Sequence, residues 1–327
     1  MGQGLKAIGG NPASPPYRNG PYTWDQQVTF TKGVNGIMNG GNTYFVDSGR
    51  SASGNGKSWT KAFITIAEAV AANLADGTTH GTILVKGTEN TDDTSDYAET
   101  VTIAQAQTGL RIIGMGNGPE GVKWTVGTAE EVILTINAQD CVVENIRFRP
   151  NGATSGMAIW LAKDAALTAN ASGTQIRNCI FRSITETALA AIGTEGANDV
   201  IVENNVFTSV VTAVYQSTSP NAVTYRMIIR NNFVDDKCTN GFILDGRSCL
   251  IQNNEFAGAG LTTIIQTTAS SGTGSYNVIR GHFFKVASAY ETNCIGCATD
   301  DWWFNYCDDT GSSTVPAAYL TIGIPTA

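Results

Sequence analysis

The stretch Ile201-Val202-Glu203-Asn204-Asn205-Val206-Phe207 recurs along this chain. Clear copies span Val142–Phe148, Gln175–Phe181, Ile228–Val234 and Leu250–Phe256, and fainter ones span Ile83–Gly87, Arg111–Gly114, Val278–Phe284 and Trp302–Asn305. We call Asn204, and the Asn or Gly that matches it in each copy, the mark. The marks fall at positions 87, 114, 145, 178, 204, 231, 253, 281 and 305, so successive marks are 22 to 33 residues apart. Repeats of this length indicate a solenoid, in which each repeat packs on the next.

Two columns of the aligned copies have the composition of a strand core. Two residues before the mark stand Ile112, Val143, Ile176, Val202, Ile229, Ile251 and Ile279. Three residues after the mark stand Phe148, Phe181, Phe207, Val234, Phe256 and Phe284. β-Branched and aromatic residues favour strands over helices, so these side chains are expected to stack inside a β-structure.

Polar residues fill the columns at and around the mark. The mark itself is Asn145, Asn178, Asn204, Asn231, Asn253 and Asn305. Because a buried Asn has to satisfy both amide donors and its carbonyl, and rungs lie about 4.8 Å apart, this column predicts a hydrogen-bonded asparagine ladder at a bend. The next column contains Asn205, Asn232, Asn254 and His282, so we interpret His282 as a polar substitute in a second stack. The preceding column alternates in charge on an outward face: Glu144, Arg177, Glu203, Arg230, Gln252 and Arg280.

These stacked columns resemble those of right-handed parallel β-helix (pectin-lyase-like) proteins, over about residues 43 to 309. The segments Tyr44–Gly49, Gly56–Trp59 and Ala62–Ile66 are similar to the entry segment of such proteins in bacteriophage particles. The resemblance implies an all-β, right-handed parallel β-helix located in a virion. The nine marks predict about nine coils, and the odd number of cysteines without a visible secretory signal predicts assembly in the host cytoplasm. Function has to be argued from the sites on that fold.

The column three residues before the mark predicts an interface. It reads Val142, Gln175, Ile201, Ile228, Leu250, Val278 and Trp302. Strand alternation turns this column outward, and its apolar members form a longer stripe than a soluble monomer normally exposes. We therefore expect a side-by-side homo-oligomer, although long loops of the same chain are an alternative cover. The resemblance to phage spikes, which pack three solenoids around an axis, favours a trimer.

The rest of the chain divides around this solenoid. Residues 1–42 carry Pro together with Tyr and Trp, which predicts an extended N-terminal arm that docks on neighbouring virion proteins. A helix is predicted at about residues 65–75, because Thr65 and Glu68 form a capping box and Ile66, Ala69, Val70 and Leu74 form an apolar stripe. We expect it to cap the first coil. Residues 310–327 are predicted to be a C-terminal strand and tail.

Composition excludes several classes of partner. Lys+Arg 20 against Asp+Glu 28 gives a net charge of -8, whereas a duplex nucleic-acid partner requires a basic surface. Apolar runs stay well below the roughly 18 residues that span a membrane, and no secretory signal is visible. Seven cysteines without such a signal are expected to be reduced. Cys294 and Cys297, with Cys307 and His282, could supply four metal ligands, but a second Cys-x-x-Cys is missing, so no metal and no cofactor are predicted.

The candidate catalytic residues are carboxylates. They are Asp235 with Asp236, Asp300 with Asp301, Asp308 with Asp309, and Asp245. Glycoside hydrolysis requires two carboxyl groups roughly 5 to 9.5 Å apart that face one groove. Adjacent residues on a strand point to opposite faces, so an Asp-Asp pair does not supply this geometry. We interpret these residues as turn and surface acids.

The sequence therefore predicts a non-enzymatic virion structural protein, which is a head decoration, a fibre or a small tailspike subunit. Two alternatives remain. One is a polysaccharide-cleaving tailspike or pectate-lyase-like enzyme. The other is a glycan-binding module that contacts a host surface glycan through aromatic side chains such as Trp160, Trp302 and Trp303.

Overall fold

The computed structural model describes most of the central chain. The described residues are 42–77, 79–87, 96–116, 118–152, 155–163, 169–185, 187–217, 223–257, 260–267, 276–285, 294–296, 300–303, 305–307 and 319–320. The predicted N-terminal arm, except Asn42, and the predicted C-terminal tail, except Tyr319–Leu320, lie outside these residues.

In the described part of the chain three sheets enclose the core, and each coil from Thr82 to Ile295 contributes one strand to each sheet in the order sheet 1, sheet 2, sheet 3. Sheet 1 consists of Thr43–Asp47, Thr82–Lys86, Arg111–Met115, Val142–Glu144, Gln175–Arg177, Ile201–Glu203, Ile228–Arg230, Leu250–Gln252, Val278–Arg280 and Asp301–Trp303. Sheet 2 consists of Tyr97–Ala98, Lys123–Thr125, Arg147–Arg149, Ile180–Arg182, Val206–Thr208, Phe233–Asp235, Glu255–Ala257, Phe283–Lys285, Asn305–Cys307 and Tyr319–Leu320. Sheet 3 consists of Val101–Ile103, Val132–Ile136, Met157–Leu161, Ala190–Thr194, Thr212–Gln216, Asn240–Leu244, Thr263–Thr267 and Cys294–Ile295.

The strands within each sheet are parallel, apart from Tyr319–Leu320, which pairs antiparallel with Asn305–Cys307. A further short parallel pair joins Thr224–Tyr225 to Gly246–Arg247. Because parallel strands need crossover connections and these are right-handed, the chain winds as a right-handed parallel β-helix. The all-β fold implied by the resemblance is confirmed.

The two core columns stack as the sequence predicts. In sheet 1, Ile176 pairs with Val202, and Ile229 pairs with Ile251. In sheet 2, the rings of Phe148, Phe181 and Phe207 stack at centroid distances of 5.4 and 5.1 Å. All of these side chains are buried, so the hydrophobic core is a continuous column along the solenoid.

Among the described residues one α-helix spans Ile66–Ala75, and 3-10 turns span Trp59–Lys61, Gln105–Gln107 and Pro119–Gly121. The predicted capping box is present, since the Thr65 hydroxyl accepts from the Glu68 N–H at 3.2 Å. The helix packs on Thr43–Asp47, Thr82–Lys86 and Val101–Ile103. Its role as a cap of the solenoid stays a prediction.

Leu74 does not belong to the buried face of this helix, because it is 44% exposed. Asn73 is buried in its place, where its Oδ1 accepts from Gln107 Nε2 at 3.0 Å. The buried face of the helix therefore includes the polar Asn73, which is hydrogen-bonded to Gln107. The pattern of apolar residues in the sequence does not predict this burial.

The buried ladder lies one residue later than the sequence analysis expects. The mark residues Asn145, Asn178, Asn204, Asn231 and Asn253 have φ between 52 and 61°, in the left-handed region, and their side chains are half-buried or exposed. Asparagine is one of the few residues that adopts this conformation readily. The mark asparagine is therefore favoured by the backbone of a one-residue turn and not by burial.

The ladder column consists of Asn205, Asn232, Asn254, His282 and Asn305, each 5% exposed or less. The N–H of one member donates to the side chain of the next: Asn205 to Asn232 at 2.9 Å, and Asn232 to Asn254 at 2.9 Å. Each asparagine Nδ2 also donates to a carbonyl of sheet 1, as Asn232 does to Val202 O at 2.9 Å. The ladder therefore satisfies the polar groups of the buried corner rung by rung.

The last coil is also shifted by one residue from the expected alignment. Ile279 pairs with Trp302, and Val278 pairs with Asp301. Trp302 is consequently a core residue, 5% exposed, and does not belong to the outward column, where Asp301 stands. By the same shift Asn305 follows His282 in the ladder column, and its Oδ1 accepts from the His282 N–H at 3.1 Å.

Replacing Asn232 by Leu is expected to destabilise the solenoid by about 1–3 kcal/mol, because the buried Asn205 N–H and Nδ2 lose their common acceptor. The matched control is Asn231→Gly, which removes a mark side chain at a left-handed position and is expected to change the free energy of unfolding by less than about 1 kcal/mol. Chemical denaturation of both variants measures the difference. Equal effects would contradict the assignment of the ladder to the second column.

Candidate functional site

Asp235 and Asp236 form a local pair at the end of a sheet 2 strand. Asp235 is half-buried and its carboxylate accepts from Thr208 Oγ1 at 2.8 Å, whereas Asp236 is exposed in the turn that follows. Burial raises the pKa of Asp235, but hydrogen bonds with Asp236 and Thr208 outweigh this effect and lower it. The hydrogen bond to Asp235, and then its charge, raise the pKa of Asp236. The two carboxyl groups are therefore hydrogen-bonded to each other, and they do not flank a groove.

Asp245 lies on a different part of the coil, directly after the sheet 3 strand Asn240–Leu244. It is 8% exposed; its N–H donates to Gln216 Oε1 at 3.0 Å, and its carbonyl accepts from the Thr224 N–H at 3.2 Å. Asp300 is also buried, and its carboxylate accepts from the Asn277 N–H at 3.0 Å and from Thr267 Oγ1. Neither residue presents a carboxylate to an open groove.

The remaining candidate acids do not change this picture. Asp301 is exposed at the outward column of sheet 1, and Asp308 and Asp309 lie outside the described residues. The candidate carboxylates that the structure describes are thus divided among sheet 2, the buried turn after sheet 3 and, for Asp301, the outer face of sheet 1. The structure does not bring them together as the pair that glycoside hydrolysis requires.

The cysteines that the structure describes behave as core residues. Cys141, Cys179, Cys238, Cys249 and Cys294 are buried and free. Burial raises the pKa of the first four thiols to about 12, so they are neutral and unreactive at ordinary pH. Cys297 lies outside the described residues, and within the described ranges no three His, Cys, Asp or Glu side chains gather closely enough to hold a metal ion.

His282 is held inside the ladder column. Its Nδ1 accepts from the Asn254 N–H at 3.2 Å, which places the proton on Nε2, and Nε2 then donates to Ile251 O at 3.1 Å. The rings of Phe256 and Phe284 enclose it at 5.8 and 5.6 Å. Burial lowers its pKa to about 4. A neutral, enclosed imidazole with both nitrogens occupied has a structural role and no route to a substrate.

Two of the three candidate tryptophans reach the surface. Trp160 is half-buried on the outer face of sheet 3, where its ring lies over Gly193 of the next rung: a Cβ added to Gly193 would stand 2.6 Å from the ring. Tyr215 follows one rung later and is also half-buried. Trp303 is exposed on the last described strand of sheet 1, whereas Trp302 is in the core.

An apolar line does run along the outer face of sheet 1. We call Val142, Ile201, Ile228, Leu250 and Val278 the outer stripe; all five are partly exposed, and Gln175 interrupts them after the first. Five steps between rungs make the stripe about 24 Å long. Ion pairs run beside it, with Arg177–Glu144 at 3.0 Å and Arg230–Glu203 at 2.6 Å.

A shallow groove of about 300 Å³ follows the turn between sheets 1 and 2. We call it the asparagine groove, and it is lined by Asn204, Asn205, Val206, Asn231, Asn232, Phe233, Asn253 and Glu255. The sequence analysis missed this groove, because it assigned the mark side chains to the interior. The adjacent Asn-Asn pairs Asn204-Asn205, Asn231-Asn232 and Asn253-Asn254 were the available signal.

No family model and no curated protein matches this chain. Structural similarity extends to Escherichia coli YbhC, with 13% identity, a TM-score of 0.49, and coverage of 90% of this chain and 79% of that one. The rice weevil pectin methyl esterase has 11% identity, a TM-score of 0.38, and coverage of 81% and 90%. The tailspike gp49 of Acinetobacter baumannii bacteriophage Fri1, a capsular polysaccharide depolymerase, has 10% identity, a TM-score of 0.37, and coverage of 81% and 56%. Identities this low transfer no residue role to this chain.

The described part of the chain contains no helix with the length and apolarity that crossing a bilayer requires.

The stability of the solenoid is expected to depend on pH through His282. In the folded chain the pKa of His282 is about 4, whereas its ordinary value is 6.5. Between pH 4 and pH 6.5 the unfolded chain therefore binds a proton at this residue that the folded chain does not bind. The free energy of unfolding should therefore fall as the pH is lowered from 6.5 to about 4, by on the order of 3 kcal/mol, with no further loss from this group below that window.

The control is His282→Asn, which continues the ladder with the residue used on neighbouring rungs and carries no titratable ring. Urea denaturation at several pH values compares the two proteins, and the difference between their curves isolates His282 from the carboxylates. Parallel curves for the two proteins across the window would overturn this expectation.

Proposed function

We propose that this chain is a non-enzymatic structural protein of a phage-like particle, in which it serves as a rigid shaft and packs side by side with copies of itself. The single observation that carries this proposal is the outer stripe on sheet 1. The stripe is apolar except at Gln175, and it lies on strands that are hydrogen-bonded from rung to rung.

The chemistry of sheet 1 suits association with another protein surface. Burial of the stripe removes apolar side chains from water, which is the main driving force of permanent interfaces. The neighbouring charges are paired within the chain, Arg177 with Glu144 and Arg230 with Glu203, so they form a polar rim that does not oppose burial of the stripe. A flat sheet face also packs closely against another such face.

A second copy of this chain is the partner that fits best. The outward column from Val142 to Val278 is apolar on every rung except that of Gln175, so a second copy presents a stripe that can pack against it. A closed rotational arrangement buries all copies equivalently and avoids open fibres. The three-fold choice rests on the resemblance to phage spikes, and the N-terminal arm predicted from the sequence is proposed to contact a neighbouring copy or another virion protein.

The location in a virion rests on the entry segment, which is similar to those of phage β-helix proteins. Within a particle, head decoration, fibre and small tailspike subunit all use a rigid elongated protein. Assembly in the host cytoplasm agrees with free, buried thiols.

The competing function is cleavage of a polysaccharide. Against it stand the positions of the described carboxylates: Asp235 and Asp236 bond to each other, and Asp245 and Asp300 are buried. Catalysis by two carboxylates needs both groups to face one bound sugar, and the described residues place no such pair around a groove.

Leu250→Asp is expected to convert the oligomer to monomers, because it places a charge in the buried stripe. Sedimentation velocity measures the assembly state, and circular dichroism checks that each solenoid stays folded. The matched control is Ile184→Asp, which changes an exposed apolar residue outside the stripe and should leave the oligomer intact. A wild-type protein that sediments as a stable monomer would refute the proposal.

The purified protein is expected to leave polysaccharides uncut. Incubation with host capsule and with pectic polymers, followed by assays for new reducing ends and unsaturated ends, tests this. The appearance of such ends would defeat the non-enzymatic proposal, and their loss in Asp245→Asn or Asp236→Asn would then locate the active site.

A further inference from the structure

We propose that the asparagine groove binds a neutral glycan chain that runs along the solenoid axis. The groove crosses three successive rungs at the corner between sheets 1 and 2. It lies apart from the candidate carboxylates Asp245 and Asp300 and from the aromatic residues of sheet 3.

The first argument is the state of the mark amides. Two of the five are used inside the protein: Asn145 Nδ2 donates to Gly114 O at 2.7 Å, and Asn178 Nδ2 donates to Glu144 Oε1 at 3.2 Å. The side chains of the other three, Asn204, Asn231 and Asn253, make no hydrogen bond within the described part of the protein. These three are the mark residues that line the groove.

The second argument is the combination of surfaces. Each free amide offers donors and an acceptor, which together match adjacent hydroxyl groups of a sugar. Val206 and Phe233, both half-buried, supply an apolar wall against which the C–H face of a sugar ring can pack. The amides repeat about every 4.8 Å along the axis, a spacing similar to the advance per ring in an extended glycan. One polymer can therefore make the same contact on successive rungs.

The charges of the residues in and beside the asparagine groove favour a neutral glycan over an anionic one. The exposed Glu255 lines the groove, and Glu203 next to Asn204 is already paired with Arg230 at 2.6 Å. The groove therefore has a carboxylate but no unpaired cation among its lining residues. A uronic acid or sulfated polymer would be repelled.

The backbone argues against an extended peptide as the occupant. A peptide that adds to a sheet needs a free edge with unbonded N–H and C=O groups. In the groove the N–H of Asn204 donates to Arg230 O at 3.2 Å, and that of Asn231 donates to Gln252 O at 3.3 Å. A ligand in the groove can therefore be recognised only by side chains, and the amide groups of these side chains can hydrogen-bond to hydroxyl groups.

The test uses a variant that removes the amides without disturbing the turn. Gly281 occupies the mark of the next rung with φ 68°, so the same turn accepts glycine in this chain. We would combine Asn204→Gly, Asn231→Gly and Asn253→Gly in the full-length protein. The matched control is Asn145→Gly with Asn178→Gly, in the same column but outside the groove.

Cellohexaose, maltohexaose, mannohexaose and chitohexaose serve as neutral probes, oligogalacturonate as an anionic probe, and calorimetric titration as the readout. The wild type and the control variant are expected to bind at least one neutral probe, and the triple variant should bind it at least tenfold more weakly with an unchanged melting temperature. Absence of binding to all four neutral probes, equal binding by the triple variant, or tighter binding of oligogalacturonate would overturn the proposal. So would loss of binding in Trp160→Ala with full binding in the triple variant, since it would assign recognition to sheet 3.

Discussion

The corner between sheets 1 and 2 is the constraint on which the rest of the structure depends. The chain changes direction there within one residue, which requires a left-handed conformation at the mark, as at Asn204 and Asn231. The residue that follows is buried at the corner, where backbone groups have no access to water. Asn205 and Asn232 satisfy these backbone groups, because the side-chain Oδ1 of each accepts a hydrogen bond from a backbone N–H of the preceding rung. A coil is therefore complete only when the next coil is present.

This dependence of each coil on its neighbour explains why the described surface presents lines of equivalent residues. Residues in one column occupy the same position on successive rungs, so a side chain that faces outward recurs about every 4.8 Å. The outer stripe and the mark amides are two such lines, one apolar and one polar. Surfaces of this kind suit long partners, such as a second solenoid or an extended polymer, better than they suit a small substrate.

Titratable residues that are catalytic or metal-binding candidates in the sequence, such as His282 and Asp300, form hydrogen bonds that stabilise the fold. His282 replaces an asparagine in the ladder column and is kept neutral by burial. Asp300 accepts from the Asn277 N–H, and so satisfies a buried turn in the way that Asn205 does at the other corner. A solenoid has many buried corners, and polar side chains are needed at each of them. This requirement accounts for the positions of His282 and Asp300.

The sequence by itself determined the repeat, the inward Ile and Phe columns and the capped helix, because these follow from periodicity and from the residue preferences of strands and helix ends. It did not decide which of two adjacent asparagines is buried. Asn204 and Asn205 are the same amino acid, and only the left-handed turn at Asn204 directs its side chain outward and that of Asn205 inward. Nor did it align the last coil, where a shift of one residue moves Trp302 from the surface to the core. Which amides remain free is likewise decided by residues one rung away, since these carry the hydrogen bonds that occupy Asn145 and Asn178.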